Sequence, residues 1–368
     1  MVIIAVASFI IIIAAAVSSG FRHELRNGIA TVSGDIQLTA PDLNYIREQN
    51  PIRRSPGLLE SLDSVAGVRK IIPAAYRAGI VKSGTNIHGV VFKGVPDGGD
   101  SLSASIPVRL AEMLGVKEGD RLPAYFVGEK VKARNFRVAS VYEDMLGNED
   151  ALIVFTGLKD IQRLNGWNGD EVSAIEIIVE DRYRSASRLK ELSDEISAQV
   201  LFNTPEDEDT VVATSALRKY PEIFSWLELI DFNVLFILAL MTVVAGFNMI
   251  SSLLILLFRK ISLIGILKSM GMRDRSIASM FLKVASSAVL KGMFWGNAAA
   301  LLFCFVQSST HLLKLNPENY FVSFVPVQVN VFQVLAADCL SYLAIMALLL
   351  PPCLFVSRVD PAKTVRTQ

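Results

Sequence analysis

Four long apolar runs decide what this chain can fold into. Residues 2–17 are broken only by Ser8, and residues 232–258, about 277–306 and 331–356 follow. A helix needs about 20 apolar residues to cross a hydrocarbon core of about 30 Å. The last three runs reach that length and the first sits at its short end. Lys283, Lys291 and Asp338 interrupt runs three and four. Such charges are expected in the outer thirds of their runs or facing a bundle interior; an ion or proton pathway is the other reading. Small residues at Ala14–Ser18 also leave a cleaved secretory signal open for the first run, although no Lys or Arg precedes it.

The 36 basic and 36 acidic residues cancel only in sum. Residues 1–231 hold 25 Lys+Arg against 32 Asp+Glu, while residues 232–368 hold 11 against 4. With a mean hydropathy of +0.43, this partition argues against a single soluble domain, a disordered chain, or a nucleic-acid binder with a basic face. The basic residues also set orientation. Arg259, Lys260, Lys268, Arg273 and Arg275 lie between runs two and three, and Arg358, Lys363 and Arg366 follow run four, whereas residues 307–330 carry only Lys314 and Glu318. The positive-inside rule puts residues 259–275 and the C-terminus in the cytoplasm. The polar stretch of about 210 residues between runs one and two is then outside, and it is long enough for one large or two small domains.

That external stretch alternates like strands at residues 34–39, 89–95 and 174–180. Residues 108–115 read as a short helix ended by Gly115, and residues 183–199 as a second, with Leu189, Leu192 and Ile196 at helical spacing. The acidic run 205–209 reads as a solvated loop. Neither a nucleophile elbow, H-E-x-x-H, G-x-G-x-x-G nor Walker A pattern occurs in the chain. Pairs such as Glu143–Asp144 and Glu149–Asp150 are ordinary surface acids. Cys304, Cys339 and Cys353 are scattered through the apolar half, and His23, His88 and His311 are far apart, so no metal site, catalytic group or disulfide framework is expected.

The cytoplasmic loop is the most informative segment. Residues 259–272 read as a short helix with Ile261, Ile264 and Leu267 at i, i+3 and i+6, basic ends and Gly271 as a stop. Such a helix can lie on an anionic membrane surface or insert into a groove on a partner. In run two, Ala245–Gly246 and Ser251–Ser252 suit close helix packing, and Asn248 can hydrogen-bond across it.

Ile264-Gly-Ile-Leu-Lys-Ser-Met-Gly271 resembles the I-G-I-L-K-x-x-G coupling loop of FtsX-like permeases, the membrane subunits of type VII (MacB-like) ABC transporters. Ser19-Gly-Phe-Arg-His-Glu-Leu25, the segment 110–120, Phe224–Leu229 and Val243–Ser251 are similar to landmarks of the lipoprotein-releasing (LolC/LolE-like) members. So are Leu315–Tyr320, Val325-Pro-Val327 and Val359-Asp-Pro-Ala-Lys363. Together these cover about nine tenths of the chain in family order. The chain departs in having Ser262–Leu263 where the family carries an acid before I-G-I-L-K. The family also begins with a cytoplasmic amphipathic segment, so some tens of residues are expected ahead of Met1.

The resemblance implies an α-helical membrane protein with four transmembrane helices plus a large mixed α+β extracytoplasmic domain between helices 1 and 2. Residues 1–20 would form a retained first span, 21–228 a MacB-like periplasmic core domain, and 229–368 the FtsX-like permease domain. Its helices would occupy about 232–258, 277–306 and 331–357. The implied location is a bacterial inner membrane, multi-pass, with the large domain in the periplasm. The implied function is extraction of lipoproteins by mechanotransmission, with export of a peptide, antibiotic or toxin, or regulation of cell-wall hydrolases, as alternatives. Partners would be a cytoplasmic ATPase dimer that binds ATP and Mg, a second permease subunit (identical or paired), lipoprotein cargo, a periplasmic carrier and membrane lipid, with no nucleic acid. The chain itself would be no enzyme and hold no cofactor. Lys260, Ile264, Gly265, Leu267, Lys268 and Gly271 are the implied ATPase contact, and Gly246, Asn248 and Ser251 the transmembrane packing residues.

Overall fold

The computed structural model describes residues 1–41, 50–128, 131–143, 152–203, 211–316, 320 and 322–355. The acidic run 205–209, Asp144, Glu149–Asp150, Glu318 and the C-terminal tail with Arg358, Lys363 and Arg366 lie outside them. In chain order the elements are α1 (Val2–Ser33), β1 (Ile36–Thr39), β2 (Ile52–Arg53), α2 (Pro56–Asp63), β3 (Val68–Ser83), β4 (Asn86–Val95), β5 (Ser103–Pro107) and α3 (Val108–Leu114). There follow β6 (Arg121–Phe126), β7 (Lys132–Tyr142), β8 (Leu152–Gly157), α4 (Leu158–Asn165), β9 (Glu171–Val172), β10 (Ala174–Val179), α5 (Ala186–Asn203), β11 (Val212–Ser215) and α6 (Ala216–Lys219). The last helices are α7 (Pro221–Arg259), α8 (Ile261–Ser269), α9 (Asp274–Thr310) and α10 (Val331–Phe355). They form two compact units: Met1–His23, Ser225–Lys314 and Phe324–Gln368 in one, Glu24–Phe224 and Leu315–Ser323 in the other.

In the helical unit, α1, α7, α9 and α10 are long and apolar enough to cross a membrane. Helices α1 and α7 have 32 and 39 residues, about 48 and 58 Å at 1.5 Å per residue, so each outruns its apolar stretch. The core repeats every fourth residue: Ala245, Met249, Leu253 and Leu257 on α7, and Ile277, Phe281, Ala285, Val289 and Met293 on α9. Phe232, Phe236, Phe247, Phe294 and Phe305 stay exposed, as suits side chains solvated by lipid. The two stretches flanking the external region meet at one end of this bundle. Phe21 packs edge-on against Trp226 with ring centroids 5.5 Å apart, Ser18 donates to Asp231 at 2.8 Å, and Arg22 pairs with Asp231. Gly292 and Gly296 of α9 seat α1. A Cβ on Gly296 would stand 2.4 Å from the Ala5 carbonyl oxygen, and one on Gly292 would stand 2.9 Å from Ile4 Cβ. Near its end, α10 carries Pro351 and Pro352 inside the helix.

The other unit is built on a nine-stranded sheet ordered β11-β1-β10-β3-β4-β8-β5-β7-β6, and β6 also pairs with β3. That extra pairing closes β3, β4, β8, β5, β7 and β6 into a ring, leaving β11, β1, β10 and the start of β3 as an open antiparallel wing. The 16-residue β3 serves both parts: residues 68–74 pair with β10 and 75–83 with β4. Strand pairs β4–β8 and β5–β7 are parallel. Phe92, Phe126 and Phe136 fill the ring, with centroids 4.9 to 6.3 Å apart. Leu189, Leu192 and Ile196 of α5 are buried in the same core, as their spacing requires. Gly115 ends α3 in the left-handed conformation at φ 64°.

A polar cluster built around Lys93 lies inside this unit. Lys93 of β4 is 1% exposed and Glu176 of β10 is 1% exposed. The Lys93 ammonium donates to Glu176 Oε2 at 2.7 Å and to the carbonyls of Thr31 and Val32, at the end of α1, at 2.9 and 2.8 Å. The Tyr76 hydroxyl bonds to Glu176 Oε1. Gln37 donates to Tyr76 at 3.0 Å and accepts from Lys219 at 2.7 Å. Burial pulls Lys219 down from 10.5 to about 8, opposed by Glu176 and reinforced by the charge of Lys93. The folded unit therefore releases this proton near pH 8, whereas the unfolded chain keeps it to about pH 10.4. A lysine depressed in the native state destabilises it most below pH 8 and less as pH rises through that window. Thermal unfolding of wild type against Lys219→Met at pH 7.5 and 9.5 checks this. The wild type should gain on the variant at the higher pH, and parallel behaviour of the two would refute it.

Candidate coupling site

The loop between α7 and α9 contains α8, a two-turn helix. Lys260 is its N-cap and accepts from the Ile264 N–H at 3.0 Å. At the other end the Met272 N–H returns to the Leu267 carbonyl at 3.0 Å, and Gly271 takes φ +84°, a conformation that costs a glycine little. The Lys268 ammonium lies 2.9 Å from Asp274 at the start of α9, so this cation closes the loop onto the next helix and satisfies an acid in its first turn.

The residues expected as contacts divide into two sets. Ile264 is 1% exposed and shares a core with Leu257, Ile277 and Phe281. Gly265 is buried beside it, and Leu267 and Lys268 are half-buried. Only Lys260 and Gly271 of the six are exposed. The apolar side chains left free are Leu263, Ile266 and Met270, at i, i+3 and i+7 on one helix face, with Met272 beyond; they are 44, 49, 78 and 42% exposed. Sequence reading picked the inward stripe because both stripes are apolar, and periodicity alone does not say which one faces the bundle.

The residues singled out on α7 also separate. Gly246 is buried where a Cβ would stand 2.4 Å from Leu348 Cδ1 of α10. Asn248 donates to Val244 O at 2.9 Å and Ser251 to Phe247 O at 3.1 Å, both within their own helix. Lys283 and Lys291 are exposed on α9 rather than turned into the bundle. The close-packing glycines that sequence reading missed are Gly292 and Gly296, whose Gly-x-x-x-Gly spacing was legible.

Residues 235–361 match the FtsX-like permease C-terminal family model. Over nearly its whole length the chain is similar to the lipoprotein-releasing system transmembrane protein LolC of Neisseria meningitidis serogroup B. The two are 22% identical over 395 positions covering 97% of this chain and 90% of that one. The protein of the same name from Xylella fastidiosa is 20% identical, covering 99% of this chain and 92% of its own. Among solved structures, the periplasmic region of MacB from Actinobacillus actinomycetemcomitans matches 53% of this chain and 95% of its own at 11% identity with a TM-score of 0.34, too slight a likeness to argue from. The chain thus has four helices long and apolar enough to cross a membrane, a large mixed domain after the first, similarity along its length to two lipoprotein-releasing system transmembrane proteins and, over residues 235–361, an FtsX-like permease C-terminal domain of the kind found in the membrane subunits of ABC transporters.

Proposed function

We propose that this permease subunit lets a separate cytoplasmic ATPase dimer, which binds the ATP and Mg, drive the extraction of lipidated proteins from the outer leaflet of a bacterial inner membrane. A second permease subunit completes the transporter, and a periplasmic carrier receives the cargo. The observation that carries this reading is the similarity to two lipoprotein-releasing transmembrane proteins across 97 to 99% of the chain. In this reading the exposed stripe Leu263, Ile266 and Met270 of α8 meets the ATPase, while Ile264 and Gly265 seat the helix and Lys268 ties it to α9. Closure of the ATPases then pushes on α8 and thereby on α7 and α9, which it joins.

Depletion of the protein followed by membrane fractionation tests the function: lipoproteins should accumulate in the inner membrane. Normal lipoprotein release with loss of peptide or toxin export, or with altered cell-wall hydrolysis, would overturn it. The contact has its own test. Leu263→Asp together with Ile266→Asp should leave the protein membrane-inserted at wild-type levels and reduce transport at least about tenfold, because removing a buried anchor at an interface costs about 2 kcal/mol or more. Ile264→Asp should instead lower the amount of folded protein, since it places a carboxylate in the core. Unchanged transport in the double variant would move the contact elsewhere.

A further inference from the structure

The four spans bring a polar cluster together inside the helical unit. Asn297 of α9 donates from Nδ2 to Asp338 Oδ2 of α10 at 2.5 Å, and Ser8 of α1 donates to Asn297 Oδ1 at 2.5 Å. Thr242 of α7 donates to Ser341 of α10 at 3.4 Å. Ser8, Thr242 and Ser341 are 6, 7 and 5% exposed. Together with Asp338 they supply the polar lining of one small cavity of about 10 Å³, otherwise walled by apolar side chains such as Ile4, Ala245 and Met293. At 1.5 Å per residue, Thr242, Asn297 and Asp338 lie about 10 to 15 Å from the outer ends of their apolar runs, well inside a hydrocarbon core of about 30 Å.

Three features of this cavity bear on its occupant. Asp338 accepts a hydrogen bond from an amide whose orientation Ser8 sets, so the carboxylate is arranged as an acceptor. No Lys or Arg among the described residues forms an ion pair with it, and an ionised carboxylate at this depth is expensive unless its charge is neutralised. The space is at the lower limit of what one water requires, and every polar group on its wall offers oxygen, the ligand atom of hard cations.

We propose that the cavity is a binding site for one small monovalent cation of the size of Na⁺, held by the Asp338 carboxylate and the hydroxyl oxygens of Ser8, Thr242 and Ser341. A single carboxylate balances one positive charge, which selects a monovalent over a divalent ion. Asn297 is a positioning residue that fixes the carboxylate, and an ion bound here joins α1, α7 and α10 directly. The site does not depend on which cargo the permease moves.

The test is thermal unfolding of the full chain in detergent or nanodiscs, in NaCl, KCl and choline chloride at equal ionic strength. Sodium should raise the midpoint by about 5 °C over choline, with saturation, as expected of a ligand well above its dissociation constant. Asp338→Asn should abolish the shift. Ser341→Ala, which retains the carboxylate, should raise the Na⁺ concentration for half-maximal stabilisation at least about tenfold, each shift being read against the same variant's own midpoint in choline. Equal midpoints in NaCl and choline would overturn the proposal, as would a sodium shift that survives in both variants. A midpoint that follows pH but not sodium would also overturn it, by placing a proton on Asp338 instead.

Discussion

Lys93→Met should lower the unfolding free energy of the external unit by about 3 to 5 kcal/mol, the cost of breaking a buried ion pair by removing one partner. Glu176 would keep the Tyr76 hydroxyl and the charge of Lys219 but lose the ammonium bonded directly to it, and the carbonyls of Thr31 and Val32 would lose the ammonium that now closes the end of α1. Lys93→Met combined with Glu176→Gln should recover a good part of that loss, because it removes the orphaned charge. Urea unfolding of the full chain, followed through Trp167 with Trp226 and Trp295 changed to Phe, reads the unit that contains the pair. A loss below about 1 kcal/mol in the single variant would mean that the pair does not hold the sheet to the end of α1.

The second large effect is expected at Gly296. A valine there would drive its Cβ into the Ala5 carbonyl oxygen at 2.4 Å and Ser8 Cβ at 2.8 Å. The nearest obstacle is backbone, which does not rotate away, so α1 has to lift off α9. Overpacking costs typically 1 to 3 kcal/mol, and the upper end, about 3 kcal/mol, is expected here. Gly246→Ala is the control, because its Cβ meets only the tip of Leu348, which another rotamer can withdraw. The pair of variants should differ by several degrees in thermal midpoint, Gly296→Val being the lower. Equal midpoints would show that α1 is not seated at this glycine.

The spans, the strands at 34–39, 89–95 and 174–180, helix α3 with its Gly115 stop and the stripe on α5 were legible, because each is written in a local period or a cap. The ends of α1 and α7 were not. Both helices continue past their apolar runs into polar sequence, where side chains such as Arg22 and Asp231 stay helical by pairing with each other. Lys93 and Glu176 were hidden for a related reason. In an alternating strand a charged residue reads as solvent-facing, but here that face of β4 and β10 is covered by the end of α1, which only the tertiary fold supplies. At the candidate site the helix and its glycine stop were readable and its orientation was not, since Ile261, Leu263, Ile264, Ile266 and Leu267 are all apolar.

Pro351 and Pro352 follow one another inside α10, and neither has an N–H to give. The carbonyls four residues earlier, at Ala347 and Leu348, therefore receive no bond from the turn that follows, and Leu348 is the side chain that packs against Gly246 of α7. Mechanically, two adjacent rungs of the α10 hydrogen-bond ladder are absent, so a bend at Pro351–Pro352 breaks fewer backbone bonds than one elsewhere along that helix. In the proposed cycle, a push from the ATPase on α8 would therefore be taken up at α10 more readily than at α7 and α9, whose interiors hold no proline.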